Sequence, residues 1–177
     1  MTKHLKHDSS DLADALEHVA YEMWKYKQSV AHYAEILMAG GDAAIEFRVL
    51  HHRVLLEFFY GPAKHPDNIL ACEYIDDWPQ THQRTSLPWL DMYMTRCHTM
   101  LAHISTARSE MAKQGRKAWP KDWGQVEPQL DQTISDFLRT LSQEHKKMCL
   151  QWINTWLSGN YPQKDVLKGL AVLIEPE

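Results

Sequence analysis

The sequence predicts an all-α fold, a helical bundle of four long helices plus short helices in the 61–86 connection and at the C-terminus. Two observations predict it. Apolar residues recur in alternating steps of three and four over long stretches, and strong helix breakers separate those stretches. The chain of 177 residues has the length of one domain, and no repeat, low-complexity tract or linker divides it. A single helical-bundle domain, 1–177, is therefore expected.

The first long helix is predicted to begin near Ser10, just before the apolar pattern starts, and to end at Gly40. The apolar residues that form its seam are Leu12, Leu16, Val19, Met23, Tyr26, Val30, Tyr33 and Leu37. Asp42 is placed to cap the second helix, predicted from about Ala43 to Tyr60. Because that helix is apolar on more than one side, we expect it to be the most buried element.

Proline and glycine pairs break the pattern after the second helix, and the connection is expected to hold only a short helix, near Asn68 to Tyr74. The third long helix is predicted to start at a Ser86 cap, with Pro88 in its first turn. Its seam consists of Leu87, Leu90, Met94, Cys97, Leu101, Ile104, Arg108 and Met111. The fourth is predicted from Glu127 to Ser158, with Pro128 in its first turn, and the tail from Val166 to Ile174 is predicted to fold back as a helical cap.

The composition favours a soluble cytoplasmic protein without membrane contact. The three cysteines are odd in number and form no CxxC pair, so neither a disulfide framework nor a cysteine zinc site is predicted. The N-terminus is polar, and no run approaches the ~20 apolar residues of a membrane-spanning helix. The net charge of −4 is mild, but the stretch 92–121 carries six basic residues and one acidic residue, a net charge of +5 that suits an anionic partner.

Eleven histidines make a metal site worth testing. Helical bundles usually bind metals with Glu-x-x-His motifs on facing helices, or with histidines four residues apart, and this chain has neither pattern. A site built from separate helices would use His52, His103 and His145, and would resemble the metal site of DinB-like hydrolases. The connection also contains an acidic cluster made of Glu73, Asp76 and Asp77. Since no second acidic pair with ExxE spacing lies nearby, a solvated turn is the preferred interpretation.

The most specific pair of residues lies on the third helix. Arg96 and His103 are seven residues apart, about two turns, so they share a face beside the seam and lie ~10 Å apart along the axis. At a symmetric dimer interface, the arginine of one subunit could approach the histidine of the other. Such a pair suits metal-free RNA cleavage without any cofactor. Histidine would move the 2′-hydroxyl or leaving-group proton, and arginine would hold the charge that grows on phosphorus.

This arrangement, Arg-x6-His on a helix of an all-α protein, resembles the extended Arg-x(4 to 6)-His motif of the HEPN superfamily. Active members of that superfamily are dimeric ribonucleases of toxin–antitoxin and phage-defence systems. The resemblance covers Ala44 to Arg108 and implies a homodimer that cleaves RNA with Arg96 and His103 as catalytic residues, with a protein antitoxin as a further partner. The basic residues expected to guide the RNA are Arg108, Lys113, Arg116 and Lys117.

Two other functions stay open at this stage: a non-catalytic helical module that binds a protein partner, and a metal-dependent, DinB-like bundle hydrolase. Arg108 also has a structural interpretation. It occupies a seam position, where an unpaired charge would be costly to bury. Pairing with Glu144, which falls on the predicted seam of the fourth helix, is preferred for it over substrate binding.

Overall fold

A computed structural model describes residues 7–40, 42–62, 67–101, 123–159, 161 and 164–175, and within these ranges all regular structure is helical. This confirms the all-α class. The α-helices are α1 (Ser9–Ala31), α2 (Tyr33–Gly40), α3 (Asp42–Tyr60), α4 (Trp78–Thr81), α5 (Leu90–Leu101), α6 (Trp123–Thr140), α7 (Gln143–Ser158) and α8 (Lys164–Ile174). Two 3-10 turns lie in the connection, at Ala71–Glu73 and Arg84–Ser86.

The N-terminal helix starts slightly earlier than predicted and is interrupted near its end. Asp8 is the N-cap: its Oδ1 accepts hydrogen bonds from the backbone N–H groups of Ser10 and Asp11 at 2.9 and 3.0 Å. The predicted single helix to Gly40 is divided at His32, whose φ of −114° and ψ of 26° leave the α-helical region. The end at Gly40 is as predicted.

Helix α3 is buried on several sides, as its apolar pattern predicted. It packs against α1, α2, α5 and α6, while α1 packs against α3, α7 and α8. Its buried apolar residues are Ala44, Val49, Leu55, Leu56, Phe58, Phe59 and Tyr60. The polar side chains of Arg48, His51 and His52 are buried as well. These three polar groups need partners inside the protein, since leaving such groups unpaired is costly.

The described parts of the connection, 61–62 and 67–89, contain more regular structure than the sequence predicted. The predicted short helix is reduced to the 3-10 turn Ala71–Glu73, and α4 and the second 3-10 turn were not predicted. The Ser86 cap was wrong. Its hydroxyl donates to the carbonyl oxygen of Gln83 at 2.6 Å, and the helix starts at Leu90.

Helix α5 confirms the predicted seam wherever it is described. The seam residues Leu87, Leu90, Met94 and Cys97 are buried, and Leu101 packs against the same apolar core. The later seam positions, including Arg108, lie outside the described residues. The apolar period therefore located the inward face of this helix correctly.

The predicted fourth helix is two helices, which changes its seam. Its first part, α6, begins at Trp123 rather than Glu127, so Pro128 lies inside the helix. It ends at Thr140, and the Ser142 hydroxyl caps α7 by accepting from the backbone N–H of His145 at 3.2 Å. Past this break the buried residues are Cys149, Ile153 and Trp156, with Met148 and Trp152 only partly buried. Glu144 is exposed in the first turn of α7, so its predicted seam position was wrong.

One apolar cluster runs through the described helices, and the predicted C-terminal helix packs on it as α8. All three cysteines are free, as expected. Four of the tryptophans, Trp24, Trp78, Trp89 and Trp156, are buried in this cluster. Within the ranges given above, no helix combines the length and apolar character that crossing a membrane would need.

Candidate functional site

A polar cleft runs along the packed pair α3 and α5. Its volume is about 550 Å³, within the range of small-molecule sites. The residues that line it are Arg53, Glu57, Gly61, Pro62, Asn68, Arg84, Asp91, Met94, Thr95 and His98. Both helices contribute charged or titratable side chains, so the cleft combines anion-binding and proton-transferring groups in one place.

Glu57 connects the two helices across this cleft. Its Oε1 accepts a hydrogen bond from Nε of Arg53 at 3.2 Å and lies 3.1 Å from Nε2 of His98. The side chains of Glu57 and His98 are 42% and 43% exposed, so substrate and water can reach them. A carboxylate that holds a histidine in this way fixes the orientation of its ring, as in catalytic acid–base pairs.

Arginine supplies positive charge on both sides of this pair. Within the described residues, Arg53 contacts Glu57 through its Nε. Arg84 is fully engaged: its Nε donates to Asp91 at 2.9 Å and its Nη1 to the carbonyl oxygen of Tyr60 at 3.0 Å. An arginine that is paired through Nε has further N–H donors for an anion, whereas Arg84 is held on two sides at the cleft edge.

A buried polar network occupies the other side of α3. Nδ1 of His52 lies 2.6 Å from the hydroxyl oxygen of Tyr93 on α5, and its Nε2 lies 3.5 Å from Oε1 of Glu127 on α6. The His52 side chain is fully buried, and burial lowers its pKa to about 3, helped by the nearby charge of Arg48. His52 is therefore neutral at physiological pH, and its Nε2 has no hydrogen-bond partner.

Arg48 lies at the centre of this network. Its guanidinium carbon is 4.5 Å from the ring centroid of Tyr33 and 3.9 Å from that of Trp123, a cation–π arrangement. Its Nε also donates to Oε1 of Glu127 at 2.7 Å. Burial raises the pKa of Glu127, although the contact with Arg48 opposes that rise. The arginine thus joins α2, α3 and α6 from inside.

A second polar contact joins α1 to α6. The hydroxyl of Tyr26 donates to Oδ1 of Asp131 at 2.7 Å, and Nζ of Lys27 lies at the same distance from that oxygen. Burial raises the pKa of Tyr26, with the Asp131 charge adding to the effect. These contacts connect α1 with α6, so we assign the groups a structural role.

The inward face of α5 offers no nucleophile. Burial raises the pKa of the Cys97 thiol to about 12, so the sulfur stays protonated and weakly reactive. The reactive groups of this helix are those that face the polar cleft.

Of the two residues predicted to be catalytic, one is described. Arg96 lies on α5 with a half-buried side chain. At about 100° per residue it is roughly 140° around the helix from Asp91 and 160° from His98, on the flank away from the polar cleft. The predicted partner His103 and the predicted substrate-binding residues Arg108, Lys113, Arg116 and Lys117 lie outside the described residues.

The metal interpretations receive no support from the described part of the chain, where no cluster of three or more metal-ligating side chains occurs. His52 is committed to Tyr93, and the ring of His145 packs on Tyr74 with 5.3 Å between centroids. Glu73 accepts hydrogen bonds from Nδ1 and the backbone N–H of His7, at 2.7 and 3.1 Å. The Glu73 side chain is only 3% exposed, so the preferred solvated-turn interpretation is wrong for this residue, whereas Asp76 and Asp77 are exposed as it predicted.

The pair of Glu57 and His98 was missed in the sequence. One local signal existed, since Arg53 and Glu57 have the i, i+4 spacing of a helical ion pair. Nothing local indicated that His98 would meet them, because α3 and α5 are separated by the whole connection.

Comparison of the chain with family models, with curated proteins and with solved structures found no match.

Proposed function

We propose that this chain is a metal-independent RNA-cleaving protein of the HEPN-like kind that acts in the cytoplasm as a homodimer. Its catalytic residues are proposed to lie on α5 and on the neighbouring α3. The observation that carries the proposal is the shared contact of Glu57 with Arg53 and His98 in an open cleft beside that helix. The same proposal includes a four-helix bundle, a protein antitoxin as a partner, and a role for the basic stretch 92–121 in guiding the RNA.

The proposed chemistry needs only protein side chains. The 2′-hydroxyl of a ribose attacks the adjacent phosphorus, and the 5′-oxygen of the next nucleotide leaves. The products are a 2′,3′-cyclic phosphate and a free 5′-hydroxyl. His98, held by Glu57, takes the proton of the attacking 2′-hydroxyl and then delivers it to the leaving 5′-oxygen, so that no proton is gained or lost overall. Arg53 stabilises the negative charge that develops on the phosphoryl oxygens.

The flank of Arg96 and His103 is the second candidate centre, as the HEPN resemblance implies. There the charges would meet across a two-fold axis, so that centre needs the dimer, whereas the α3–α5 cleft is complete within one chain. Substitutions separate the two. His98→Asn should remove cleavage if the cleft is the centre, and His103→Ala should remove it if the other flank is.

The experiment is cleavage of a labelled single-stranded RNA by EDTA-treated protein. The control is His32→Asn, a histidine between α1 and α2 that lines neither the polar cleft nor the pocket beside it. Cleavage by the wild type and the control, with loss in one of the two histidine variants, supports the proposal. Equal cleavage by all four proteins would point to a contaminating ribonuclease and would contradict the proposed function.

A further inference from the structure

A second cavity adjoins the polar cleft and differs from it in character. Its volume is about 390 Å³, and it shares Gly61, Pro62 and Arg84 with the cleft. Most of the remaining wall is apolar or aromatic and includes Phe59, Leu70, Trp78 and Pro79. The two cavities therefore meet at three residues, and we call them the polar part, lined by charged side chains, and the apolar part, lined mostly by apolar ones.

The wall of the apolar part contains a fixed pair of stacked rings. The rings of Trp78 and His82 are stacked with 3.7 Å between centroids and only 8° between planes. The Trp78 indole N–H donates to the carbonyl oxygen of Phe59 at 2.9 Å. His82 is held at its two nitrogens, 2.9 Å from the Thr81 hydroxyl and 3.4 Å from Asp136. Trp78 is 2% exposed and the His82 side chain 16%, so His82 is the ring of this pair that a ligand can reach, and a ring fixed in this way loses little freedom when a flat group packs on it.

The junction between the two parts is also fixed. The Arg84 guanidinium is held by Asp91 on one side and by the Tyr60 carbonyl on the other. Gly61 lies beside it, where a Cβ atom would lie 2.2 Å from the carbonyl oxygen of Glu57. Gly61 therefore lies close against the end of α3 and adds no side chain to the junction.

We propose that the apolar cavity binds the nucleobase of a nucleotide whose phosphate occupies the polar cleft. This inference rests on the proposed function and deepens it, since it makes the cleft a site for one nucleotide unit of RNA. Nucleotides have the required chemistry, with a flat aromatic ring and an anionic group a short distance apart. Base stacking on aromatic side chains is a common source of affinity in RNA-binding proteins.

The test compares three probes by calorimetry on the full chain: adenosine 3′-monophosphate, adenosine and inorganic phosphate. The nucleotide should bind at least about 10-fold more tightly than either fragment, which is the size of effect that one stacked base provides. Thr85→Phe fills the apolar cavity from its exposed rim and should reduce nucleotide affinity to that of phosphate, with phosphate binding unchanged. The control is Gln80→Phe, an exposed neighbour that does not line the cavity.

Equal affinity for nucleotide and phosphate, or nucleotide binding unaffected by Thr85→Phe, would overturn the inference. The RNA cleavage assay distinguishes failure of this inference from failure of the proposed function. If cleavage resists EDTA and depends on His98 but the nucleotide binds no more tightly than phosphate, only the base-binding inference is contradicted. If Thr85→Phe weakens nucleotide binding but the protein does not cleave RNA, the ribonuclease proposal is contradicted and the nucleotide-binding site is supported. Circular dichroism melting checks that each variant is folded.

Discussion

Nε2 of His98 lies 3.1 Å from Oε1 of Glu57, and this contact joins the C-terminal parts of α5 and α3 across an open cleft. Two exposed groups that meet in this way add little to stability, because surface ion pairs are worth about 0–1 kcal/mol. Their effect on chemistry can be much larger, since a carboxylate can orient a catalytic histidine. Substitutions in the pair should therefore change activity far more than folding.

Glu57→Gln preserves the size of the side chain and removes its charge. We expect the rate of RNA cleavage to fall by about 10-fold or more, because the His98 ring and the Arg53 side chain both lose their charged partner. The free energy of unfolding should change by less than about 1 kcal/mol. The control is Glu46→Gln, an exposed glutamate on the same helix. A large loss of stability in Glu57→Gln with an unchanged cleavage rate would assign the residue a structural role.

His52 should make the protein less stable in acid. Its pKa is about 3 in the folded protein against 6.5 for a free histidine, so the unfolded chain binds its proton first as the pH falls. The stability linked to His52 is complete above pH 6.5 and is lost between about pH 6.5 and 3, at up to about 1.4 kcal/mol per pH unit. Urea unfolding at several pH values should show a smaller slope for His52→Gln. The exposed-site variant His18→Gln should keep the wild-type slope, and equal slopes for all three proteins would contradict the assignment.

Arg48 and Glu127 should be coupled in stability. Arg48→Met leaves the Glu127 carboxylate in a mostly buried position without its partner, and should cost about 3 kcal/mol in urea unfolding. Adding Glu127→Gln should recover part of that loss, because the remaining group is then neutral. Arg139→Met, at an exposed position of α6, should change stability by no more than about 0.5 kcal/mol. Losses that simply add in the double variant would show that the two side chains act independently.

Gly61 should not tolerate a side chain. A Cβ atom there would lie 2.2 Å from the carbonyl oxygen of Glu57, so Gly61→Ala must move the chain where it leaves α3. We expect it to destabilise the protein by about 1–3 kcal/mol, as overpacking does in other proteins. Gly169→Ala is a matched control, since no atom lies within 4 Å of its added Cβ and alanine favours a helix. A melting temperature for Gly61→Ala at or above that of Gly169→Ala would contradict the predicted clash with the Glu57 carbonyl oxygen.

The apolar period was sufficient to predict the fold class and the inward face of α5. It failed where a polar cap interrupts an apolar stripe. Leu141 continues the pattern of α6, so the sequence favoured one helix, yet the Ser142 cap starts a new one and shifts the buried positions. The signal was local and was available in the sequence.

The candidate site could not be predicted in the same way. Glu57 and His98 are 41 residues apart in the chain, and only the packing of α3 on α5 brings them together. Arg48 illustrates the same limit. A charged residue on a buried stretch of helix contradicts the apolar pattern. The two aromatic rings that Arg48 contacts, Tyr33 and Trp123, belong to two other helices. Tertiary contacts of this kind leave no periodic trace in the sequence.

The central claim, metal-free RNA cleavage by the Glu57 and His98 pair, is tested most directly by the initial cleavage rate in EDTA for the wild type and His98→Asn. The account predicts products with a 2′,3′-cyclic phosphate and a 5′-hydroxyl, and a rate at least about 100-fold lower in His98→Asn, the usual contribution of a general acid or base. Equal rates for the two proteins, or a wild-type rate that EDTA abolishes, would contradict it.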